Sequence, residues 1–258
     1  MRELHQAKGR RQQGLLLLEG THLLQECQRL SLEPRLLIAT SLWLERHPQL
    51  SGFGPLQVVS PEVLEAMATT TSPDGVLALL PPPAAATLPA AGAKPLVLAL
   101  DRVQDPGNLG TLMRTALAAG VEQLWLGGGA DPWQPKVLRA SAGAALELPL
   151  RRFESLEQCL GQAKAAGWPL RAAVRQGGVP YWQLDWQQAC ILLIGNEGAG
   201  IDPALERLGL EPVTIPHSPQ VESLNVAVAA GVLLLERQRQ GWVAAADRGE
   251  SSAIELGR

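Results

Sequence analysis

The chain has 258 residues, with 22 basic against 25 acidic side chains for a net charge of −3, and a hydrophobic fraction of 46%. A chain this apolar offsets its ordering entropy by burial, which excludes wholesale disorder, and its longest clean apolar run, residues 226–235, covers ten residues against the ~20 of a transmembrane helix. A slightly acidic chain also does not hold nucleic acid by bulk charge, so any such site must be a local patch.

The first eleven residues offer one candidate patch, since Arg2, Lys8, Arg10 and Arg11 oppose only Glu3; the bland alternative is a solvated helical face. Short apolar runs at 14–18, 35–39, 56–59 and 75–80 read as strands. Residues 21–30 and 61–68 read as helices, the second opened by Ser60 as N-cap and Pro61 at the first helical position. Strands alternating with helices over residues 1–80 predict a small α/β domain. Residues 81–95, PPPAAATLPAAGAKP, hold five prolines and six alanines; proline neither continues a helix nor donates to a ladder, so an extended, semi-rigid linker is expected.

The remainder repeats the theme on a larger scale. Continuous apolar runs at 96–100, 123–126, 170–174, 191–194 and 213–215 fit strands covered on both faces. Helices fit at 108–119, 154–166 and 224–239. The expected fold class is α/β, a mainly parallel sheet with helices on both faces over residues 96–240, and residues 241–258 read as a polar, poorly ordered tail. Cys27, Cys159 and Cys190 are scattered without a CxxC pair, as expected of reduced thiols, and no metal site is expected. No charged-then-apolar leader opens the sequence; the expectation is a cytoplasmic protein without membrane partners.

In open α/β sheets ligands sit beyond the carboxyl ends of strands. The first strand of the larger part runs into DRVQDPGNLGTLMRTALAAG, residues 101–120. A glycine-rich turn entering a helix can cradle a phosphate, but Gly107 and Gly110 form neither the dinucleotide fingerprint nor a P-loop. Arg114 is the unusual residue, a salt-bridged structural arginine or an anion clamp. The fourth strand runs into GNEGAGI, residues 195–201, where glycines surround Asn196 and Glu197; a tight turn with an exposed Glu197 is the alternative. The last strand leads into IPHSPQVESLNVAVA, residues 215–229, where Ser223 and Asn225 are both natural helix caps.

The segments DPGNLGTLMRTALAAG, LIGNEGAG and IPHSPQVESLNVAVA resemble, in order and spacing, the three motifs of the SpoU-type RNA 2′-O-ribose methyltransferases of the SPOUT superfamily. The resemblance covers residues 96–236, with PKVLRASAGA (135–144) similar to the segment between the first two motifs. Residues 15–26, LLLLEGTHLLQE, are similar to the substrate-binding domain many members carry. It implies a C-terminal trefoil knot, a small α/β RNA-binding domain in front, a homodimer, and S-adenosylmethionine as cofactor. By position, it implies Gly195, Ile215 and Leu224 in the cofactor pocket, and Asn108, Arg114, Glu197, Ser223 and Asn225 as the catalytic polar set. Two departures stand out: TSPDGVLALL (71–80) has Asp74 where relatives often carry glutamine, with no preceding histidine, and the linker is unusually proline-rich. Large-subunit ribosomal RNA is the expected substrate, because 80 residues go to a separate front domain and the tail is not a basic arm. Transfer RNA is second. A non-catalytic RNA-binding module would have lost one of the polar residues, and a nucleotide-dependent oxidoreductase lacks its fingerprint.

Overall fold

A computed structural model describes residues 1–90 and 95–248 of the chain. The linker expectation at 91–94 and the tail expectation at 249–258 lie outside the described residues. By packing, the chain divides into two compact units: residues 1–85, 104–114 and 129–149 form the first, and the rest the second. That division does not follow the sequence-based one, because two pieces from the larger part pack with the front.

In the first unit a 3-10 turn, Arg2–His5, leads into α1 (Ala7–Gln13) and β1 (Leu16–Glu19). Then come α2 (Thr21–Arg29), β2 (Leu36–Ala39), α3 (Ser41–Arg46), β3 (Leu56–Val58), α4 (Pro61–Met67) and β4 (Val76–Leu80). The four strands order β1-β4-β2-β3. β4 is antiparallel to β1 and β2, and β2 runs parallel to β3. Leu17, Ile38, Leu77 and Leu79 pack with Leu4 and Leu64 into one core. α4 opens as its sequence predicts, with Val63 N–H donating to Ser60 Oγ and proline at the first position.

Of the candidate basic patch Arg2, Lys8 and Arg11 are exposed, but Arg10 is withdrawn from it. Arg10 is only 5% exposed, because Nη1 donates to the Leu4 and His5 carbonyls and Nη2 meets Asp131 at 2.5 Å. Asp74, a departure from the resemblance, accepts the Thr21 N–H at 2.7 Å and so satisfies the start of α2, where Gly20 adopts φ 106°.

The larger part contributes β5 (Leu96–Asp101), α5 (Pro106–Ala118), β6 (Gln123–Gly127), α6 (Pro135–Ala140), α7 (Ala144–Glu147) and β7 (Leu150–Phe153). It continues with α8 (Glu157–Ala165), β8 (Leu170–Ala173), β9 (Val179–Pro180), β10 (Cys190–Ile194), α9 (Pro203–Glu206), β11 (Glu211–Thr214) and α10 (Val226–Asp247). Seven strands order β7-β6-β5-β10-β8-β11-β9, and all pairings are parallel. Val97, Ala99, Trp125, Ile191 and Leu193 pack against Leu160 and Ala163 of α8. The intervening Leu98, Leu100, Leu124, Leu126, Leu192 and Ile194 are equally buried, so the sheet centre has no solvent face. The three cysteines are free and buried. Among the described residues no helix is long and apolar enough to cross a membrane.

Residues 81–90 have no regular secondary structure and are held at two points: Ala86 N–H donates to the Leu150 carbonyl, and Gln123 Nε2 donates to the Thr87 carbonyl at 2.6 Å. One expectation is corrected. The tail expectation fails at 241–247, which continue α10. That end is held by Gln240, whose Nε2 donates to the Leu184 carbonyl while its Oε1 accepts the Trp186 N–H.

Candidate active site

The strand order reverses between β5, which leads outward to β6 and β7, and β10 and β8 on its other side. Such a switch point opens a crevice beyond the carboxyl ends of the strands. Register pairs Ile194 with Leu100, Leu193 with Ala172, and Pro212 with Ala172. Gly195 and Ile215 therefore leave the sheet at similar levels, two strand spacings or about 10 Å apart.

The loops after β5 and β10 are built into each other. Asp101, buried at the end of β5, takes Arg102 Nε on Oδ1 at 3.0 Å and the Asp202 N–H on Oδ2 at 2.8 Å. Arg102 itself sits in the left-handed region at φ 55°, which costs a side-chain-bearing residue of order 1–3 kcal/mol. This turns its carbonyl toward Asn196, whose Nδ2 donates to it at 2.8 Å. Asn196 Oδ1 accepts the Gly198 and Ala199 N–H groups, and its backbone bridges Gly200 in both directions. A Cβ on Gly195 would lie 2.6 Å from Ile201 N and 2.7 Å from the Gly200 carbonyl oxygen. Gly195 is thus required by the loop folding back on itself. Glu197 stands exposed on the same loop.

The loop after β11 has no regular structure from 215 to 225. His217 Nδ1 donates to the Ile215 carbonyl at 2.7 Å. Of the two predicted caps, Asn225 is the one used: its Oδ1 accepts the Ala227 and Val228 N–H groups, which starts α10 at Val226. Ser223 and Leu224 make no hydrogen bond among the described residues.

Asn108 and Arg114 lie on the stretch of α5 that packs in the first unit. Asp105 caps this helix through Asn108 N–H at 2.7 Å, with Pro106 following. Gly110 lies inside the helix. A Cβ there would come within 2.9 Å of the Ala140 and Ser141 backbone, so it marks a close helix contact with α6. Arg114 is exposed and makes no hydrogen bond or ion pair among the described residues. It stands six residues, about 9 Å of helix rise, beyond Asn108. Sequence reasoning missed Asp101, Arg102 and Asp202 altogether and the loop-building part of Asn196. The available signals were an aspartate closing an apolar strand and an asparagine between glycines.

The sequence pattern of the SpoU rRNA Methylase family matches residues 95–235, and that of the MRM3-like substrate binding domain matches residues 1–78. The chain belongs to the SpoU rRNA methylase family. A 23S rRNA (guanosine(2553)-2′-O)-methyltransferase of Bacillus subtilis is 35% identical, over 90% of this chain and 92% of that one. An uncharacterized tRNA/rRNA methyltransferase of Synechocystis sp. is 45% identical, over 95% and 91%. The AdoMet-bound rRNA methyltransferase of Sinorhizobium meliloti superposes with a TM-score of 0.80 at 30% identity, covering 93% of this chain and 92% of that one. S-adenosylmethionine is the cofactor of the family. In this member Ile215 and Leu224 are half-buried, and the Leu224 backbone makes no hydrogen bond among the described residues, which leaves apolar surface and backbone polar groups compatible with such a group.

Proposed function

We propose that the chain methylates the 2′-oxygen of a ribose in large-subunit ribosomal RNA. It is an S-adenosylmethionine-dependent RNA 2′-O-ribose methyltransferase, with ribosomal RNA as its substrate class. The observation that carries the catalytic assignment is Arg114, exposed and without a partner among the described residues, at the position of the first motif's arginine. An arginine poised this way is free to take an anion.

S-adenosylmethionine supplies an activated methyl group on a sulfonium. Gly195, Ile215 and Leu224 would hold it, chiefly through backbone groups and apolar contact. Deprotonating an arginine at neutral pH costs roughly 7 kcal/mol, which rules against Arg114 as general base. Its planar fork suits a bidentate grip on the phosphate beside the target ribose, where its charge steadies the developing alkoxide. The ribose proton leaves to that phosphate, to water or to Glu197. Asn225 fixes the start of α10, and Ser223 offers its hydroxyl to the ribose from the loop before it.

The reading includes a homodimer. Val228, Leu235 and Trp242 recur every seven residues along α10, so they share one face, and they are 55, 46 and 49% exposed. A second copy would cover that stripe, and sedimentation of the full chain at twice its mass would check it. It also includes the knot. β10 follows β8 in the chain yet lies between β5 and β8, with β11 beyond, an order that a threaded C-terminal segment produces. The substrate test incubates the full chain with labelled S-adenosylmethionine and separate pools of ribosomal and transfer RNA. Label should enter large-subunit RNA; label confined to transfer RNA would overturn the choice.

A further inference from the structure

Residues 135–149 are far in sequence from the front strands, yet side chains tie them to those strands inside the first unit. Arg29 of α2 pairs with Glu147, and Gly143, at φ 88°, leaves room for Glu26, whose side chain a Cβ there would meet at 2.9 Å or less. The tie with the most consequence is at Arg139. Its Nη1 donates to Thr69 Oγ1 at 2.9 Å and lies 3.3 Å from Glu19 Oε2. Glu19 is buried at the end of β1. Its two oxygens accept the Thr69 and Thr70 N–H groups, at 3.0 and 3.2 Å, and both threonine hydroxyls. One carboxylate thus shapes the hydroxyl-rich loop 69–75, and Arg139 fastens loop and strand to α6.

The next residue carries the connection onward. Ala140 meets α5 at Gly110, where no Cβ fits between the two backbones. Arg114 stands one helical turn beyond Gly110 on the same helix. Loop 69–75, Arg139, Ala140, Gly110 and Arg114 form a continuous series of direct contacts or single helical turns. The ion pair itself adds little to folding, since Arg139 is a third exposed. Without Arg139, the buried Glu19 still keeps its threonine donors, so no carboxylate is orphaned.

We propose that Arg139 is a positioning residue for methyl transfer: it keeps loop 69–75 of the front domain in register with Arg114, so that RNA seated on that domain offers one ribose at a set place. This rests on the reading of the chain as a ribosomal-RNA methyltransferase whose front domain binds RNA. The test compares full-length wild type with Arg139→Ala in two ways. Hydrogen exchange in the free protein should quicken at both 66–75 and 106–114 and stay unchanged in α8. At saturating RNA, kcat should fall about tenfold, as a misplaced substrate requires, while KM for RNA moves less than about twofold and methyl marks appear on neighbouring riboses. Should Arg139→Ala fail to fold, Thr69→Val, which removes only the shared hydroxyl, should move the same readouts in the same direction by less. Unchanged exchange at 106–114 would overturn the proposal, as would a raised KM at unchanged kcat, which would make Arg139 an RNA contact and nothing more. If wild type itself leaves ribosomal RNA unmethylated, the substrate reading falls, and the exchange measurement still decides the coupling.

Discussion

In the first unit three arginines, Arg10, Arg29 and Arg139, end on carboxylates of the same unit, while Arg114 ends on nothing among the described residues. In the second unit the polar groups at the strand ends turn mostly to backbone: Asp101 to the Asp202 N–H, and Asn196 to the Arg102 carbonyl and to its own loop. The first arrangement joins segments distant in sequence and leaves one side chain to meet an external anion. The second shapes loops whose own backbone, on the function proposed above, is the binding surface. On that proposal substrate recognition rests on a side chain, and cofactor recognition on loop shape.

The sharpest way to break that contrast is at Arg114. Arg114→Ala should lower kcat/KM by about a thousandfold or more, roughly 4 kcal/mol, while calorimetric titration finds S-adenosylmethionine affinity within about twofold of wild type. Arg114→Lys should also be poor, because an ammonium cannot make the two-pronged contact. Full activity in the lysine variant would reduce the role to simple charge.

A smaller effect is expected at Asn196. Asn196→Ala removes three hydrogen bonds that shape the Gly195–Ile201 loop. At about 0.5–1.5 kcal/mol each, with part recovered by water, cofactor affinity should weaken about ten- to thirtyfold. Turnover should largely return once cofactor is saturating. Wild-type affinity in this variant would mean that the loop's shape is not what the cofactor reads.

The centre of the sheet was legible because strands buried on both faces read as unbroken apolar runs, as at 96–100 and 191–194. β7 was not, since LRRF at a sheet edge carries two arginines in four residues and looks like a loop. Arg10 looked like part of a basic patch because its partner, Asp131, lies 121 residues away, a separation no local pattern reports. The end of α10 was missed for the same reason, as Gln240 is fixed by residues 184 and 186. At the site, motif spacing pointed to Gly195 and Arg114. It did not disclose that Gly110 serves helix packing, or that Asn225 rather than Ser223 is the cap.

The smallest effect separates buried from exposed chemistry. Burial pushes the Cys159 and Cys190 thiols up to about 11 and Cys27 to about 12. Near pH 8 the reactive thiolate fraction of each is therefore on the order of a thousandth or less. A thiol reagent should label none of the three quickly in the native protein and all three on unfolding. Rapid native labelling would place a cysteine at the surface.

The most direct test of the division between side chain and loop is single-turnover methyl transfer to ribosomal RNA by Arg114→Ala and Asn196→Ala, each over a cofactor titration. The expected result is a crossing pattern: Arg114→Ala saturates with cofactor as wild type does but plateaus near zero, whereas Asn196→Ala saturates late and plateaus near wild type. Both variants failing in the same parameter, either plateau or half-saturation, would contradict it.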